Sequence, residues 1–485
     1  MHTSAYEKKA EQFLAEITEE HYRNGAGLKK TLDIEPIYER HRSLFSRPTV
    51  ARLLRGRRAK AGRMLAEFAA FGLMENETRS LTEAITNAET QATVRWDGKD
   101  VTYRYGWVVL MNEPDAARRH DLESRIEERT LEQDPLRAER FCAHHFRARG
   151  LGFRDYTSMC RSLGAVDYAA LARRVRSILS RTRAAYFREL RFWLSTLGLK
   201  AGDATWADIR HLFRASQFDE FFPKARLIRS LRDTLAGMGI DLEAQSNVTL
   251  DTDARPLKSP RAFCAPVRVP GDVRLVIMPK GGQDDYVSLF HEAGHTEHFA
   301  NCDPDLRFPY RCLGDNAITE CYAFLLEHLV RDRLWQKQFL GASPPARYFR
   351  LLRFHALWMI RRYSAKLLYE LRLHDADDAL SGRATYERVL GGALGIRISG
   401  ANALYDVDPH YYCACYLRAW LLEAQLRRRL VEEFGARWFS NEGAGAFLRS
   451  LWSEGQRWSA DELSRRLRYR SLTESAFLRE LLAPR

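Results

Sequence analysis

The stretch DDYVSLFHEAGHTEHFA, residues 284–300, decides how the rest of the chain is read. It contains His291-Glu292-Ala293-Gly294-His295, a match to H-E-x-x-H. On an α-helix, positions i and i+4 lie on one face, so the imidazoles of His291 and His295 can converge on one Zn²⁺ ion. Glu292 projects beside them, where it can take a proton from the attacking water as general base. Asp284 and Asp285 stand just upstream, where a helix N-terminus favours acidic residues. So short a pattern also arises by chance, and the surrounding residues have to support it.

Zinc catalysis needs a third protein ligand and an open fourth position. Downstream, NAITECYAFLLEHL (316–329) reads as an apolar helix with two carboxylates on one face, Glu320 and Glu327. A carboxylate in apolar surroundings needs a partner. Glu320 is read as the third ligand of a single Zn²⁺ per chain, and Glu327 as the group that orients a ligand histidine. His298 shares the face of His291 and His295 and is assigned a similar supporting role. Glu297 points elsewhere.

The texture changes upstream of the motif. Between 246 and 290 the chain is rich in Pro, Gly and β-branched residues, which predicts two or three short strands. The best candidates are 262–269 and 273–278, around a Pro270-Gly271 turn. Elsewhere the apolar residues recur with the helical period, predicting helices over 5–23, 49–72, 78–92 and 166–197, and a capped helix over 203–214. A polar interruption, WDGKD (96–100), separates two of these runs. The expected fold is mainly α, a helical two-lobed, zincin-like architecture with a small β-sheet beside the metal-site helix. Its expected parts are a helical N-terminal lobe (1–245) and a catalytic lobe (246–485). The latter comprises a small sheet (255–280), zinc helices (284–332), a Gly/Tyr loop (391–416) and C-terminal helices.

These residues resemble the thimet oligopeptidase and bacterial oligoendopeptidase family, whose motif is H-E-x-G-H-x-x-H with a ligand Glu 29 positions after the first His. Glu320 stands 29 positions after His291, and Gly294 and His298 fall on the family's Gly and third His. Glu327 falls on a second recurrent Glu. The segment KSPRAFCAPVRVPGDVRLVIMPKGGQDDYVSLF (258–290) is similar to the family's approach to its motif, a strand, then an edge strand, then the helix start. The resemblance implies that the edge strand, with Arg274, Leu275, Val276 and Ile277, pairs with a peptide substrate by strand addition. It also implies a channel that admits short unstructured peptides.

Hydrolysis of a peptide develops an oxyanion that needs donors. LYDVDPHYYCACYLRAW (404–420), after the Gly-rich loop GGALGIRISGAN (391–402), supplies tyrosines and a histidine where the family places them. The family's loop runs roughly G-Y-x-x-x-Y-Y-x-Y, whereas here Ala414 stands where the last Tyr falls, and Asp408-Pro409 interrupts. Tyr412 is the first choice as oxyanion donor, with His410, Tyr411 and Tyr416 as alternatives. Aromatic residues on a helix are also ordinary core, and Tyr416 begins an apolar stripe.

Composition narrows the partners. The chain has 485 residues, 45% apolar and 29% charged, with a net charge of +13. Only 12 of its 76 basic residues are Lys, the Arg residues are dispersed beside acidic ones, and no nucleic-acid-binding motif accompanies them. No nucleic-acid partner is expected. The N-terminal segment lacks the apolar core of a secretory signal and no apolar run approaches a membrane span, so a cytoplasmic location and no membrane partner are expected. The eight cysteines are scattered without a C-x-x-C pair, which fits that compartment. The function expected is a zinc-dependent metalloendopeptidase acting on short peptides. The rivals are a helical zinc metallocarboxypeptidase and a degenerate homologue that binds peptides without cleaving them.

Overall fold

In the computed structural model, which describes residues 3–376 and 378–483, helices dominate, as the periodicity predicts. The described chain divides into two compact units. The first comprises the stretch through Ala70, Ser216–Phe349 and Arg418–Phe477; the second comprises Phe71–Ala215, Arg350–Leu417 and the stretch from Leu478. The single cut expected between 245 and 246 is therefore not what the structure shows. Most junctions fall inside continuous helices, Lys60–Gln91, Ala346–Leu373, Tyr412–Phe434 and Ser475–Leu482. Such helices run unbroken across the boundary, Gly72 in Lys60–Gln91 included, so the sequence does not announce it.

Two expected helices, 49–72 and 78–92, are divided differently. The chain forms a short helix, Arg47–Arg55, and then a single long one, Lys60–Gln91, which contains Gly72 without ending there. The polar interruption at 96–100 is a β-hairpin in the second unit, so the sheet near the motif is not alone. Strand β1 (Thr93–Trp96) pairs antiparallel with β2 (Lys99–Thr102). The connection is Asp97-Gly98, both with positive φ of 49° and 75°, the combination that Asp-Gly permits and a two-residue hairpin demands. The hairpin buries Val94 and Trp96 against Tyr103, Leu110 and Ile126.

In the first unit a three-stranded sheet is built from β3 (Val248–Asp251), β4 (Phe263–Arg268) and β5 (Asp272–Val276), in the order β3-β5-β4. β3 runs parallel to β5 and β4 antiparallel to it. One face, through Ala265, Val267 and Val276, packs on Tyr22 and Ala26 of the N-terminal helix and its end, Thr3–Gly25 onward. The helix Gln283–Ala300, here called the motif helix, also packs against β4 and β5. Among the described residues no helix is long and apolar enough to cross a membrane. All eight cysteines are free.

Candidate metal centre

The motif helix starts at a tight backbone turn. Gly281 and Gly282 have φ of +95° and +88°, values that L side chains resist. The Asp285 carboxylate accepts from the N–H groups of Lys280 at 2.5 Å and Gly281 at 2.7 Å, and Asp219 accepts from Gln283 N–H at 3.2 Å. The turn's donors and the first N–H of the helix are thereby satisfied by carboxylates, which also suit the positive end of the helix dipole.

The second metal-site helix, Asn316–Val330, is capped by Asp315, whose side chain accepts from Ala317 N–H. It crosses the motif helix at Gly294. A Cβ at that position would lie 2.4 Å from the Tyr322 carbonyl oxygen and 2.5 Å from Ala323 Cα. Only glycine lets the two backbones approach this closely, and the approach brings Glu320 opposite the two histidines.

The ligand atoms of His291, His295 and Glu320 lie within 4.8 Å of one another. Glu320 Oε2 is 3.5 Å from His291 Nε2 and 3.7 Å from His295 Nε2. Four-coordinate zinc with bonds of about 2.0–2.1 Å separates its donors by roughly 3.3 Å, so the three atoms already stand near that spacing. Both histidines are steered from behind. His291 Nδ1 meets Glu327 Oε2 at 3.0 Å, and His295 Nδ1 meets Thr319 Oγ1 at 2.7 Å. With Nδ1 engaged, each ring turns Nε2 toward Glu320. Arg331 in turn donates to Glu327 Oε1 at 2.5 Å, which fixes the carboxylate that fixes His291. Glu327 thus stands against His291 Nδ1. Thr319 and Arg331 were not singled out from the sequence, although Arg331 stands at i+4 from Glu327, the spacing of a helical ion pair.

Electrostatics follow from burial and from these carboxylates. Burial pushes the His291 imidazolium down, but Glu320 and Glu327 outweigh it and lift its pKa to about 10. His295, more deeply buried, is pushed down to about 4, with Glu320 opposing the shift. A cation binding at Nε2 of His291 therefore competes with a proton, so metal affinity falls as the pH falls. Glu292 is lifted to about 7 by burial, against the pull of His291. Its Oε2 accepts from the backbone N–H of Cys264 in β4 at 2.9 Å. Replacing Glu327 with Ala is expected to weaken zinc binding about 10–100-fold while leaving all three ligands in place, measured by competition with a chromophoric chelator.

Other sequence candidates land elsewhere. His298 is fully buried and its ring packs on Phe299 and Tyr322, with centroids 5.1 and 4.9 Å away, beside the Gly455 backbone. The nitrogens it was expected to orient are held by Glu327 and Thr319 instead, so His298 serves packing. Glu297 points away from the ligands as expected, but into the interior, where Gln245 and Asn301 donate to it. Arg274–Ile277 do not form a free edge. β5 is the central strand, hydrogen-bonded to β3 on one side and β4 on the other, and Ile277 N–H is taken by Asp251. Arg274 itself is paired with Asp272 and Glu19. The peptide-pairing role assigned to this strand is therefore corrected. The strand whose outward N–H borders Glu292 is β4.

The Tyr/His loop belongs to the second unit. His410 and Tyr411 both have left-handed backbones, φ +55° and +57°. Tyr411 is turned into the core of its unit, where its hydroxyl is 2.6 Å from Thr157 Oγ1. A hydroxyl so engaged and so buried is not free to stabilise an oxyanion, which removes Tyr411 from the candidates. The His410 ring stacks on Phe71 at 3.4 Å, and burial pushes it down to about 3. Tyr412 and Tyr416 are half-buried and meet edge-to-face at 5.1 Å.

The whole chain has the fold of several solved peptidases. It superposes on a crystal structure assigned to oligoendopeptidase F from Bacillus anthracis str. Ames with a TM-score of 0.64 and 13% identity, covering 96% of this chain and 86% of the other. A second oligoendopeptidase F structure gives a TM-score of 0.62 at 15% identity, covering 96% and 84%. PZ peptidase A, solved with an inhibitor, gives 0.64 at 15% identity, covering 96% and 85%. No protein-family profile matches the sequence, and no curated protein does.

Proposed function

We propose that the chain is a zinc-dependent oligopeptidase that hydrolyses short peptides. The observation that carries this reading is the convergence of His291 Nε2, His295 Nε2 and a Glu320 oxygen, with Glu292 beside them. Two imidazoles and a carboxylate, with both Nδ1 atoms engaged from behind, are a donor set that fits zinc in a hydrolytic site. The shared fold with oligoendopeptidase F and PZ peptidase A supports peptide as the substrate class.

When bound there, Zn²⁺ acidifies a water molecule and polarises the scissile carbonyl. Glu292, steadied by the Cys264 N–H, accepts the proton of the attacking water and returns it to the departing amine. Its raised pKa suits both halves of that transfer near neutral pH. An extended peptide adds along the outer edge of β4, where Pro266 offers no N–H and the strand's carbonyls act as acceptors.

The test is metal analysis combined with cleavage of a mixed pool of short peptides. The purified protein is expected to hold one zinc per chain, to lose cleavage with a chelator and to regain it with Zn²⁺. Glu320→Ala is expected to lose the metal. Wild type with full zinc that cleaves nothing would overturn the peptidase reading. Retention of zinc by Glu320→Ala alongside its loss in Glu327→Ala would reassign the third ligand.

A further inference from the structure

In the second unit, four side chains form an alternating stack of rings and cations. Trp107 comes from the helix Tyr103–Asn112, Trp206 and Arg210 from the helix Trp206–Arg214, and Arg362 from Ala346–Leu373. The Arg210 guanidinium lies 4.6 Å from the Trp107 ring centroid and 5.1 Å from that of Trp206. Arg362 lies 4.6 Å from Trp206 on its own side. Trp206 and Arg210 are four residues apart, so one face of one helix presents both.

The stack is rich in donors and poor in acceptors. Among the described residues Arg210 has no hydrogen-bond acceptor and no carboxylate partner, and its Nε is buried. The indole N–H of Trp107 and the Nε of Arg362 are likewise buried without an acceptor. None of these groups can accept a hydrogen bond, so they cannot satisfy one another. The neighbouring carboxylates are spent. Asp406 takes Arg362 at 2.6 Å, Lys366 at 3.3 Å and the Tyr386 hydroxyl at 2.8 Å. Glu123 accepts from Ala207 N–H at 2.9 Å. A half-buried guanidinium that stacks on aromatic rings and feels Asp406 and Glu123 only at a distance, next to two more orphaned donors, is a costly arrangement unless an anion completes it.

We propose that Arg210, Arg362 and the Trp107 indole N–H form an oxyanion-binding site whose ligand is the carboxylate of a peptide. Among the described residues Arg210 is in no ion pair, so a single anionic charge completes it. The guanidinium fork suits a carboxylate's two oxygens, and the indole walls exclude water around them. The choice of a peptide as the bearer of that carboxylate rests on the oligopeptidase reading, whereas the donor set does not.

The experiment measures binding without turnover, in the Glu292→Gln protein, by calorimetry with N-acetyl-Ala-Ala as the free acid, as its C-terminal amide, and with inorganic phosphate. The free acid is expected to bind at least about 10-fold more tightly than the amide, the worth of one charge-assisted pair. In an added Arg210→Gln substitution that preference is expected to fall below about 2-fold, while Trp107→Phe, which removes only the N–H, lowers it partially. The acid is also expected to raise Tm in the Arg210 protein and not in Arg210→Gln. Should Arg210→Gln fail to fold, Arg210→Lys, which keeps the charge and loses the fork, carries the same comparison. Equal binding of acid and amide, or an undiminished preference in the Arg210 variants, would overturn the site. Displacement by phosphate below the acid's own Kd would overturn the carboxylate assignment. A preference for the acid by a protein that cleaves no peptide would uphold the site and leave the failure with the peptidase reading.

Discussion

Changing Glu292 to Gln is expected to lower kcat/KM for peptide hydrolysis by about 10³-fold or more and to leave one zinc per chain in place. General-base catalysis contributes on the order of 10²–10⁴-fold, and in the mechanism proposed above the same carboxylate serves both the water and the leaving amine. The substitution is nearly isosteric. The Gln side-chain oxygen can still accept the Cys264 N–H that holds Glu292 at 2.9 Å, so the geometry beside β4 is kept while the proton acceptor is lost. Glu292 is not among the three converging ligand atoms, so zinc content separates the loss of a base from the loss of a metal. Steady-state cleavage of a short peptide, with metal analysis on the same preparation, checks both. Activity above a tenth of wild type with full zinc would move the base to another residue.

The parts of this site that the sequence reveals are those set by helical spacing. His291, Glu292 and His295 are local, and the distance to Glu320 spans the end of the motif helix, the short helix Phe308–Cys312 and the first turn of Asn316–Val330. Strand order is a different matter. β3 joins the sheet by a parallel pairing with β5, across the intervening β4, so which strand is central depends on a contact between residues 248–251 and 273–276. Alternating apolar residues look the same in a central strand and an edge strand, and the substrate-pairing role was therefore given to Arg274–Ile277 rather than to β4. Tyr411 shows a second limit. Its inward turn depends on a left-handed backbone at two consecutive non-glycine residues, which local propensity disfavours and only the surrounding packing imposes. The hairpin at Asp97-Gly98 carries a local signal, Asp-Gly between two β-prone runs, which a reading of WDGKD as a polar interruption between helical runs passes over.

The supporting groups show why sequence finds ligands more readily than what holds them. Thr319 precedes the candidate ligand Glu320 and lies beside His295 only because the two helices cross at one depth and one angle. Arg331 reaches Glu327 from the end of the same helix. The chain from Arg331 through Glu327 to His291 places a cation behind a carboxylate behind an imidazole. His298 lies on the same helical face as the ligands yet packs among aromatic rings, because the second helix takes its support from Glu327 and Thr319.

That crossing makes Gly294 the residue at which fold and metal site are most tightly joined. Gly294→Ala is expected to destabilise the protein by about 3 kcal/mol, the upper end for overpacking, and to lower zinc affinity by more than about 100-fold. The added Cβ would stand 2.4 Å from the Tyr322 carbonyl oxygen, 2.5 Å from Ala323 Cα and 2.8 Å from Ala323 N. These are backbone atoms, and no rotamer change relieves the contact. The helices must separate by roughly an ångström, whereas ligand distances tolerate about 0.2 Å. His295 is the next residue and Glu320 lies two before Tyr322, so the displacement falls directly on the ligand set. Gly392→Ala is the contrasting case. That glycine lies within the helix Gly382–Leu394 with nothing inside 4 Å of its Cβ position, and alanine there is expected to stabilise by about 0.5–1 kcal/mol. Thermal unfolding and zinc titration of the two variants side by side separate a general cost of adding a methyl group from the specific cost of parting the two helices. If Gly294→Ala holds zinc as tightly as wild type, the close crossing is not what positions Glu320.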